Sequence, residues 1–209
     1  MPSPSSDDEP RLEFRLPGSW EQFTPEDSPR EESHITAYVE EIVGKADDRA
    51  QLRAALRMRL AAGIEAAADG SAQALFICRE VMPDAPTPIV MTVYAPALLR
   101  MSPVLGTDPD AVMRAFKQAR TQVYEEGESD WADLEIPESR ILRVVRDEDV
   151  PLHPQAPEAT APNLQADYWY TTPGSKRIVL VSFFTPLADI REAMLAFFDG
   201  IVRASRFAA

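Results

Sequence analysis

The C-terminal third of the sequence contains two apolar runs joined by a turn too short to hold a helix. The runs cover residues 165–171 and 177–184, and Thr-Pro-Gly-Ser at residues 172–175 lies between them. Proline presets the φ angle of a turn and glycine supplies a positive one, so this tetrapeptide predicts a hairpin. Strands joined so closely are antiparallel, because a parallel connection needs a crossover of about a dozen residues. The pattern therefore favours an antiparallel sheet over a doubly wound parallel one.

Hydrophobic periodicity predicts the whole chain as strand, two helices, two strands, helix, three strands and helix. Apolar residues recur every three or four positions in the helical segments and every second position in the strands. The predicted strands outside the hairpin are residues 12–16, 74–82, 89–95 and 141–145. The predicted helices begin at Ser33, near Asp47 or Asp48, at Asp108 and at Thr185, and the first three end at Gly44, Gly70 and Gly127.

The segments between these elements are polar or rich in proline. Residues 83–88 and 151–162 are predicted to be loops, because proline cannot donate to a sheet. Residues 125–135 are acidic and are predicted to be an exposed connection, and Trp20 and Phe23 are expected to dock a loop onto the core. Residues 1–11 carry proline, serine and acid and are predicted to be a disordered arm. Residues 12–209 are then one α+β domain, an antiparallel sheet with helices packed on its faces.

The charge and cysteine content of the chain restrict its partners and its compartment. The net charge is −13, so nucleic-acid phosphates and anionic membrane surfaces would be repelled, and neither is expected as a partner. The one cysteine, Cys78, cannot form an intrachain disulfide and lies in an apolar run, which predicts a core thiol in a reducing compartment. With no signal-peptide pattern at the N-terminus, a cytoplasmic location is expected. The excess of arginine over lysine, with abundant alanine and proline, is typical of a GC-rich bacterial genome.

The sequence contains none of the motifs tested for catalysis, metal binding or cofactor binding. It has neither a phosphate-binding glycine loop nor a GxSxG nucleophile motif, and His34 and His153 are far apart. We therefore expect no catalytic residues, no metal site and no cofactor, and a protein that is not an enzyme.

Two acidic clusters are candidate sites with a simpler explanation. The acids within residues 125–135 lack the spacing of a calcium loop and are predicted to be a solvated charge run. Asp147, Glu148 and Asp149 follow a predicted strand, where paired carboxylates could act as acid and base, but a charged strand end is the favoured explanation.

Two groups of residues are candidates for binding. Arg49, Arg53 and Arg57 repeat at every fourth position and form a basic line on the second predicted helix. Like charges at this spacing oppose one another, so the line needs an anionic neighbour, either carboxylates of the chain itself or a partner. Tyr168 and Tyr170 share one face of a predicted strand whose other face carries a tryptophan, and one of these faces is a candidate contact surface.

The C-terminal hairpin and helix resemble those of the PsbP/Mog1/LpqN-like α/β/α sandwiches. The similarity involves Tyr168-Trp169-Tyr170, the run from residue 177 to residue 183, and the Phe198-Asp199-Gly200 segment of the last helix. Phe14-Arg15-Leu16-Pro17 followed by Trp20 is similar to the first strand and turn of that group. The resemblance implies a strongly twisted antiparallel sheet with helices on both faces. It also implies a protein that binds other proteins, with no catalytic residues carried over.

These observations predict a non-catalytic protein-binding, adaptor or chaperone-like protein. A protein partner is expected, and a homodimer is compatible with the sequence. Two alternatives stay open: a small-molecule carrier, or an enzyme whose cleft of carboxylates and arginines is assembled only by the fold. A pocket with several titratable groups would favour the enzyme, a deep and mostly apolar cavity would favour the carrier, and a flat apolar patch would favour the adaptor.

Overall fold

The computed structural model describes residues 11–25, 28–96, 99–102, 104, 106–121, 130–153 and 156–208. Within these residues the helices are α1 (Ser28–Val43), α2 (Ala50–Asp69), α3 (Pro109–Thr121) and α4 (Arg191–Arg203). The strands are β1 (Arg11–Glu13), β2 (Ser19–Phe23), β3 (Ala72–Met82), β4 (Ala85–Pro86), β5 (Val90–Tyr94), β6 (Asp130–Ile136), β7 (Ser139–His153), β8 (Ala156–Thr171), β9 (Ile178–Thr185) and β10 (Arg206–Ala208). None of the described helices combines the length and the apolar character needed to span a membrane.

The main sheet is antiparallel throughout, which confirms the predicted α+β class. Its strand order is β2-β3-β5-β9-β8-β7-β6, with β4 attached to β3, and β1 pairs separately with β10. The predicted C-terminal hairpin is confirmed: the N–H of Thr172 donates to the carbonyl of Arg177 at 3.1 Å, and Gly174 has a φ of +65°.

Helices cover the two faces of the sheet differently. On one face α4 packs over β6, β8 and β9 and completes a continuous core that includes Tyr168, Phe183 and Phe198. On the other face α1 and α2 pack over β2, β3 and β5, whereas α3 packs over β7 and β8. The second face therefore carries two separate apolar clusters.

The N-terminal half departs from the predicted elements at three places. Trp20 and Phe23 lie in β2 rather than in a loop, and Phe23 is buried. The predicted first strand, residues 12–16, is observed as the shorter β1, which pairs with β10, a strand that was not predicted. Arg11, which was predicted to belong to the arm, is the first residue of β1. Helix α1 begins five residues before the predicted N-cap, and Glu31 in its first turn accepts the N–H of Thr24 at 3.1 Å. Apolar periodicity could not show this polar first turn. Residues 1–10 lie outside the described residues.

Two predicted loops are wrong. Residues 151–162 form the outer part of the β7–β8 hairpin, in which Pro151 lies opposite Thr160 and Pro162 opposite Asp149. Prolines are tolerated there because this part extends past the pairings that β6 and β9 make, so its outer edges need no amide donors. In the acidic segment, residues 130–136 form β6, where buried Leu134 and Ile136 alternate with exposed acids. Its residues before Asp130 are outside the described part.

The remaining predicted helix signals agree with the structure except at the last helix: Thr185, its predicted cap, is the final residue of β9, and α4 begins at Arg191 after a 3₁₀ turn at Ala188–Ile190. Helix α2 follows a short 3₁₀ turn at Asp47–Arg49 and is followed by Gly70, and α1 is followed by Gly44 in a left-handed conformation with a φ of +83°. The carboxylate of Asp108 accepts the N–H of Ala111 at 2.9 Å, which is the predicted N-cap of α3. Gly127, the predicted end of α3, lies outside the described residues. Among the described residues, Thr121 is the last one of α3.

Candidate functional site

A pocket opens on the sheet face between the α1–α2 layer and α3. Its volume is about 290 Å³, at the lower end of the range for small-molecule sites. We refer to it as the sheet-face pocket, and its lining residues are Tyr94, Arg120, Arg146, Gln165, Asp167, Trp169, Leu180 and Ser182. These residues come from α3 and from four neighbouring strands, so no short stretch of sequence contains the site.

The strand register explains why polar side chains meet on the floor of this pocket. Thr92 of β5 pairs with Ser182 of β9, and Ser182 pairs with Asp167 of β8, so these three residues form one row across the sheet. Side chains two residues apart on a strand share a face. The neighbouring rows therefore place Tyr94, Leu180 and Trp169 on one side of the polar row and Gln165 with Arg146 on the other.

The carboxylate of Asp167 is the centre of the polar network. Only 2% of the residue is exposed. One of its oxygens, Oδ1, accepts the hydroxyl of Ser182 at 2.7 Å and the amide of Gln165 at 3.1 Å. The other, Oδ2, accepts a guanidinium N–H of Arg146 at 2.5 Å. A buried charge is tolerated when it is paired and hydrogen-bonded in this way.

An aromatic wall closes the α3 side of the pocket. The ring of Trp169 lies 5.1 Å from that of Phe116, and the guanidinium of Arg120 lies over the indole at 5.0 Å. Both contacts come from α3 and fix the orientation of the tryptophan. On the opposite side, burial raises the pKa of Tyr94, so its hydroxyl stays neutral at physiological pH.

Nε of Arg146 and the indole Nε1 of Trp169 are buried donors without an acceptor in the described part of the chain. Both atoms have almost no accessible surface, so they lie beneath the pocket lining and not at its surface. A carboxylate oxygen of Glu148, on the same strand, lies 4.0 Å from Arg146 Nε. This distance is too long for a hydrogen bond. Buried donors without acceptors are rare in folded proteins, and each one calls for a physical explanation.

A second, larger cleft of about 500 Å³ lies between α3, β6 and β7. Its charges are largely paired with one another: Arg140 Nε donates to Asp110 at 2.8 Å, and Lys117 pairs with Asp133. These carboxylates are about half exposed or more, so water competes for every contact. The cleft therefore gives weaker grounds for ligand recognition than the sheet-face pocket.

Two arginines of the line, Arg49 and Arg53, bond to backbone carbonyls within the fold. Arg49 donates to the carbonyl of Val43 at 2.9 Å, and Arg53 donates to the carbonyls of Gly44 and Ala46 at 2.8 and 2.7 Å. These acceptors lie at the C-terminal end of α1 and just beyond it, where backbone carbonyls lack helical partners and cations are favourable. Neither set of bonds involves Arg57.

The predicted tyrosine candidates lie in the core and not at a contact surface. Tyr168 and Tyr170 are both fully buried on the α4 face, and their hydroxyls meet Asp199 at 2.8 Å and Ser205 at 3.3 Å. Burial is the main cause that raises the pKa of both phenols. The prediction that they face away from Trp169 is confirmed by the register.

The other candidates of the sequence analysis have structural positions. Cys78 is buried, as predicted, and burial raises its pKa to about 11, so the thiol is neutral. Asp147, Glu148 and Asp149 are exposed within β7, not at its end. Among the described residues there is no cluster of side chains suited to a metal ion.

Sequence reasoning missed the residues of the sheet-face pocket other than the tryptophan. One signal was present: Arg146 follows Val144-Val145, and Asp167 lies between Ala166 and Tyr168, so each interrupts an apolar strand with a charge. Charges at such positions are rarely buried without a partner. Pairing the two charges, however, required the register of β7 against β8, which the sequence did not define.

Compared with known proteins, the chain matches no family model, no curated protein and no solved structure.

Proposed function

We propose that this chain is a binding protein for a small polar molecule, held in the sheet-face pocket. The observation that carries the proposal is the polar floor of this pocket of about 290 Å³, where Asp167 holds the side chains of Ser182, Gln165 and Arg146 next to one another. Side chains held in this way can offer donors and acceptors to a bound polar molecule with little further loss of conformational freedom.

Binding rather than catalysis is favoured by the state of Asp167, the one carboxylate among the described residues that line the pocket. A general base must lie within hydrogen-bond distance of the proton that it removes, and a buried carboxylate held by three donors is poorly placed to reach a substrate. Both oxygens of Asp167 already accept hydrogen bonds from Ser182, Gln165 and Arg146. Asp167 therefore acts as an anchor that holds Arg146 and Gln165 in place.

The proposal replaces the leading prediction from the sequence with one of its alternatives. The prediction of a protein-binding protein rested on the absence of catalytic motifs and on the resemblance to PsbP/Mog1/LpqN-like sandwiches, and the arginine line and the two tyrosines were its candidate contacts. Arg49 and Arg53 have acceptors at the end of α1, and Tyr168 and Tyr170 are inside the core. The resemblance to PsbP/Mog1/LpqN-like sandwiches stays a prediction.

The test uses the indole N–H of Trp169 as a reporter in ¹H–¹⁵N NMR spectra. A fragment library with anionic, neutral and cationic members is titrated into the labelled protein, and Trp169→Phe assigns the signal. We expect a subset of fragments to shift the Trp169 indole signal in a saturable way. The indole signals of Trp20, which donates to the carbonyl of Pro17 at 2.8 Å, and of Trp131 serve as internal controls. If no fragment of any charge shifts Trp169 selectively, the proposal is wrong.

A second candidate function, the protein-binding adaptor, is favoured by the outer surface of α2. Met58 and Leu52 on this helix are 71% and 52% exposed, and most of the residues between them are exposed or only half-buried. Affinity capture from the native host with Met58→Glu would test it. Met82→Glu is the matched control, because Met82 is 64% exposed on β3. A partner lost only with Met58→Glu would support the adaptor, and equal capture by both variants would contradict it.

A further inference from the structure

Helix α2 is mostly uncovered, although most of its residues are apolar. Eight of its twenty residues are alanine, and leucine, isoleucine and methionine add five more. Only Ile64 and Ala67 are buried, whereas the shorter α4, with thirteen residues, has five buried ones. A helix that is apolar around most of its circumference is normally covered on more than one side. Within the described residues, α2 is covered on one side only.

The uncovered side of α2 has small residues in its middle and larger apolar ones beside them. With 3.6 residues per turn, residues 55, 62 and 66 lie on one face of the helix. We call this the α2 outer face, and its apolar members are Leu52, Ala55, Met58, Ala62 and Ala66. All five are exposed, Met58 by 71% and Leu52 by 52%. Alanines between larger side chains form a groove into which a second helix can pack.

The charges on α2 are arranged against its own dipole. Anions are favourable near the N-terminus of a helix and cations near its C-terminus. In α2 the bases are in the first half and the acids in the second: Arg53, Arg57 and Arg59, then Glu65 and Asp69. Arg59 and Glu65 are exposed, and neither forms an ion pair or a hydrogen bond with another described residue. A neighbouring helix that runs in the opposite direction would compensate this arrangement.

The α2 outer face complements itself when a second copy of the chain lies antiparallel to it. Arg59 and Glu65 lie three residues before and after Ala62. A two-fold axis at Ala62 therefore places Arg59 of each copy at the level of Glu65 of the other. Met58 and Ala66 lie four residues before and after Ala62, so the largest apolar side chain of the face meets a small one. A two-fold interface requires such self-complementarity, whereas an interface with an unrelated protein does not.

We infer that the α2 outer face pairs two copies of this chain in an antiparallel, two-fold symmetric dimer. The basic half of each α2 lies along the acidic half of the other, and Leu52 and Met58 are removed from water. One helix from each copy buries less surface than the about 1,200–2,000 Å² of stable complexes, so the dimer dissociates reversibly in the micromolar range. None of these residues belongs to the described lining of the sheet-face pocket, so the dimer does not depend on a ligand there.

Sedimentation of the full-length protein across the micromolar range tests the dimer. The wild type should change from monomer to dimer as its concentration rises. Met58→Glu places a carboxylate inside the contact, and it should raise the dissociation constant at least about tenfold. Met82→Glu is the matched control, because Met82 is 64% exposed on β3. It should leave the dissociation constant unchanged.

Charge reversal tests the antiparallel arrangement. Arg59→Glu and Glu65→Arg each place like charges at the same level of the symmetric dimer, so each should raise the dissociation constant roughly fivefold. Mixing the two single variants in equal amounts should restore association, because position 59 of each copy then faces an opposite charge at position 65 of the other. Loss in both variants with recovery in the mixture is expected only if these two positions of different copies meet.

The outcomes that would overturn the inference are distinct. A wild type that stays monomeric across this range would overturn it and leave the α2 outer face to a different protein. So would a dimer that Met58→Glu and Met82→Glu weaken equally, or a mixture of the charge variants that associates no better than either variant alone. Because the wild-type series needs no variant, a folding defect in one substitution would not prevent a result.

Discussion

The two faces of the main sheet each carry an arginine–aspartate pair, and the pairs have different surroundings. On the α4 face, Arg143 pairs with Asp199, and their side chains are 14% and 17% exposed. Asp199 also accepts the hydroxyl of Tyr168, which lies within the continuous core. On the opposite face, Arg146 pairs with Asp167 between two separate apolar clusters, and the pair lines a pocket.

The difference shows how the helices over a sheet face determine whether an ion pair lies inside the core or lines a pocket. On the α4 face, the helix that covers the ion pair also supplies one of its members: Asp199 of α4 is the partner of Arg143. On the other face, α1–α2 and α3 are anchored at opposite sides of the sheet, and neither helical layer covers the central strands completely. Polar residues on those strands then form the floor of a pocket.

The largest expected effect concerns the continuity of the α4 core. Phe198 is fully buried and its ring stacks on that of Phe183 at 4.5 Å. Phe198→Ala should lower the free energy of unfolding by about 3–5 kcal/mol, because it leaves a cavity at the centre of the core. Phe197→Ala, at a partly buried neighbour, should cost clearly less. Chemical denaturation measures both, and equal costs would contradict a core centred on Phe198.

The next effect compares the two ion pairs directly. Asp199→Ala should cost about 3 kcal/mol, because it leaves Arg143 without its partner and the buried hydroxyl of Tyr168 without an acceptor. Asp167→Ala should cost about 2 kcal/mol, since Arg146 is about a third exposed and can turn toward water. Only the Asp167 variant should change the indole N–H signal of Trp169. A change of that signal in Asp199→Ala would mean that the two faces are coupled.

A smaller effect tests how the α1–α2 layer is held in its position beside the pocket. Arg53→Ala removes two hydrogen bonds to carbonyls that follow α1, and it should cost about 1 kcal/mol. Arg57→Ala, one turn further along α2, should change the free energy of unfolding by less than about 0.5 kcal/mol. Thermal unfolding of both variants distinguishes them. If Arg57→Ala is the more destabilising substitution, the capping role of this arginine line is wrong.

The smallest effect concerns Cys78 on the α4 side. Its pKa is raised from 9.0 to about 11 by burial, so the folded state favours the neutral thiol. This contribution to stability is complete below pH 9 and is lost as the pH rises toward about 11. The free energy of unfolding should therefore fall more steeply over this range in the wild type than in Cys78→Ala. At neutral pH a thiol reagent should react with Cys78 only after unfolding, and rapid labelling of the folded protein would contradict its burial.

The helices and the central strands could be predicted because their signals are local. The N-cap at Asp108, the glycine after α1 and the Pro-Gly turn at residues 173–174 each impose a backbone conformation whatever surrounds them. The strand β6 and the outer part of the β7–β8 hairpin could not be predicted in this way. Their acidic and proline-rich sequences form strands because β7 offers a free edge and because the outer hairpin has no further neighbours.

The candidate site depended on contacts between residues distant in sequence. The local pattern predicted that Trp169 lies on one face of its strand and Tyr168 and Tyr170 on the other. It could not show which of the two faces α4 would cover. Nor could it bring Arg146 to Asp167, because that contact depends on the register of two long strands. Alternation and turn chemistry thus defined the elements of this protein, whereas burial on one face and a pocket on the other arose from the way in which the helices divide the sheet between them.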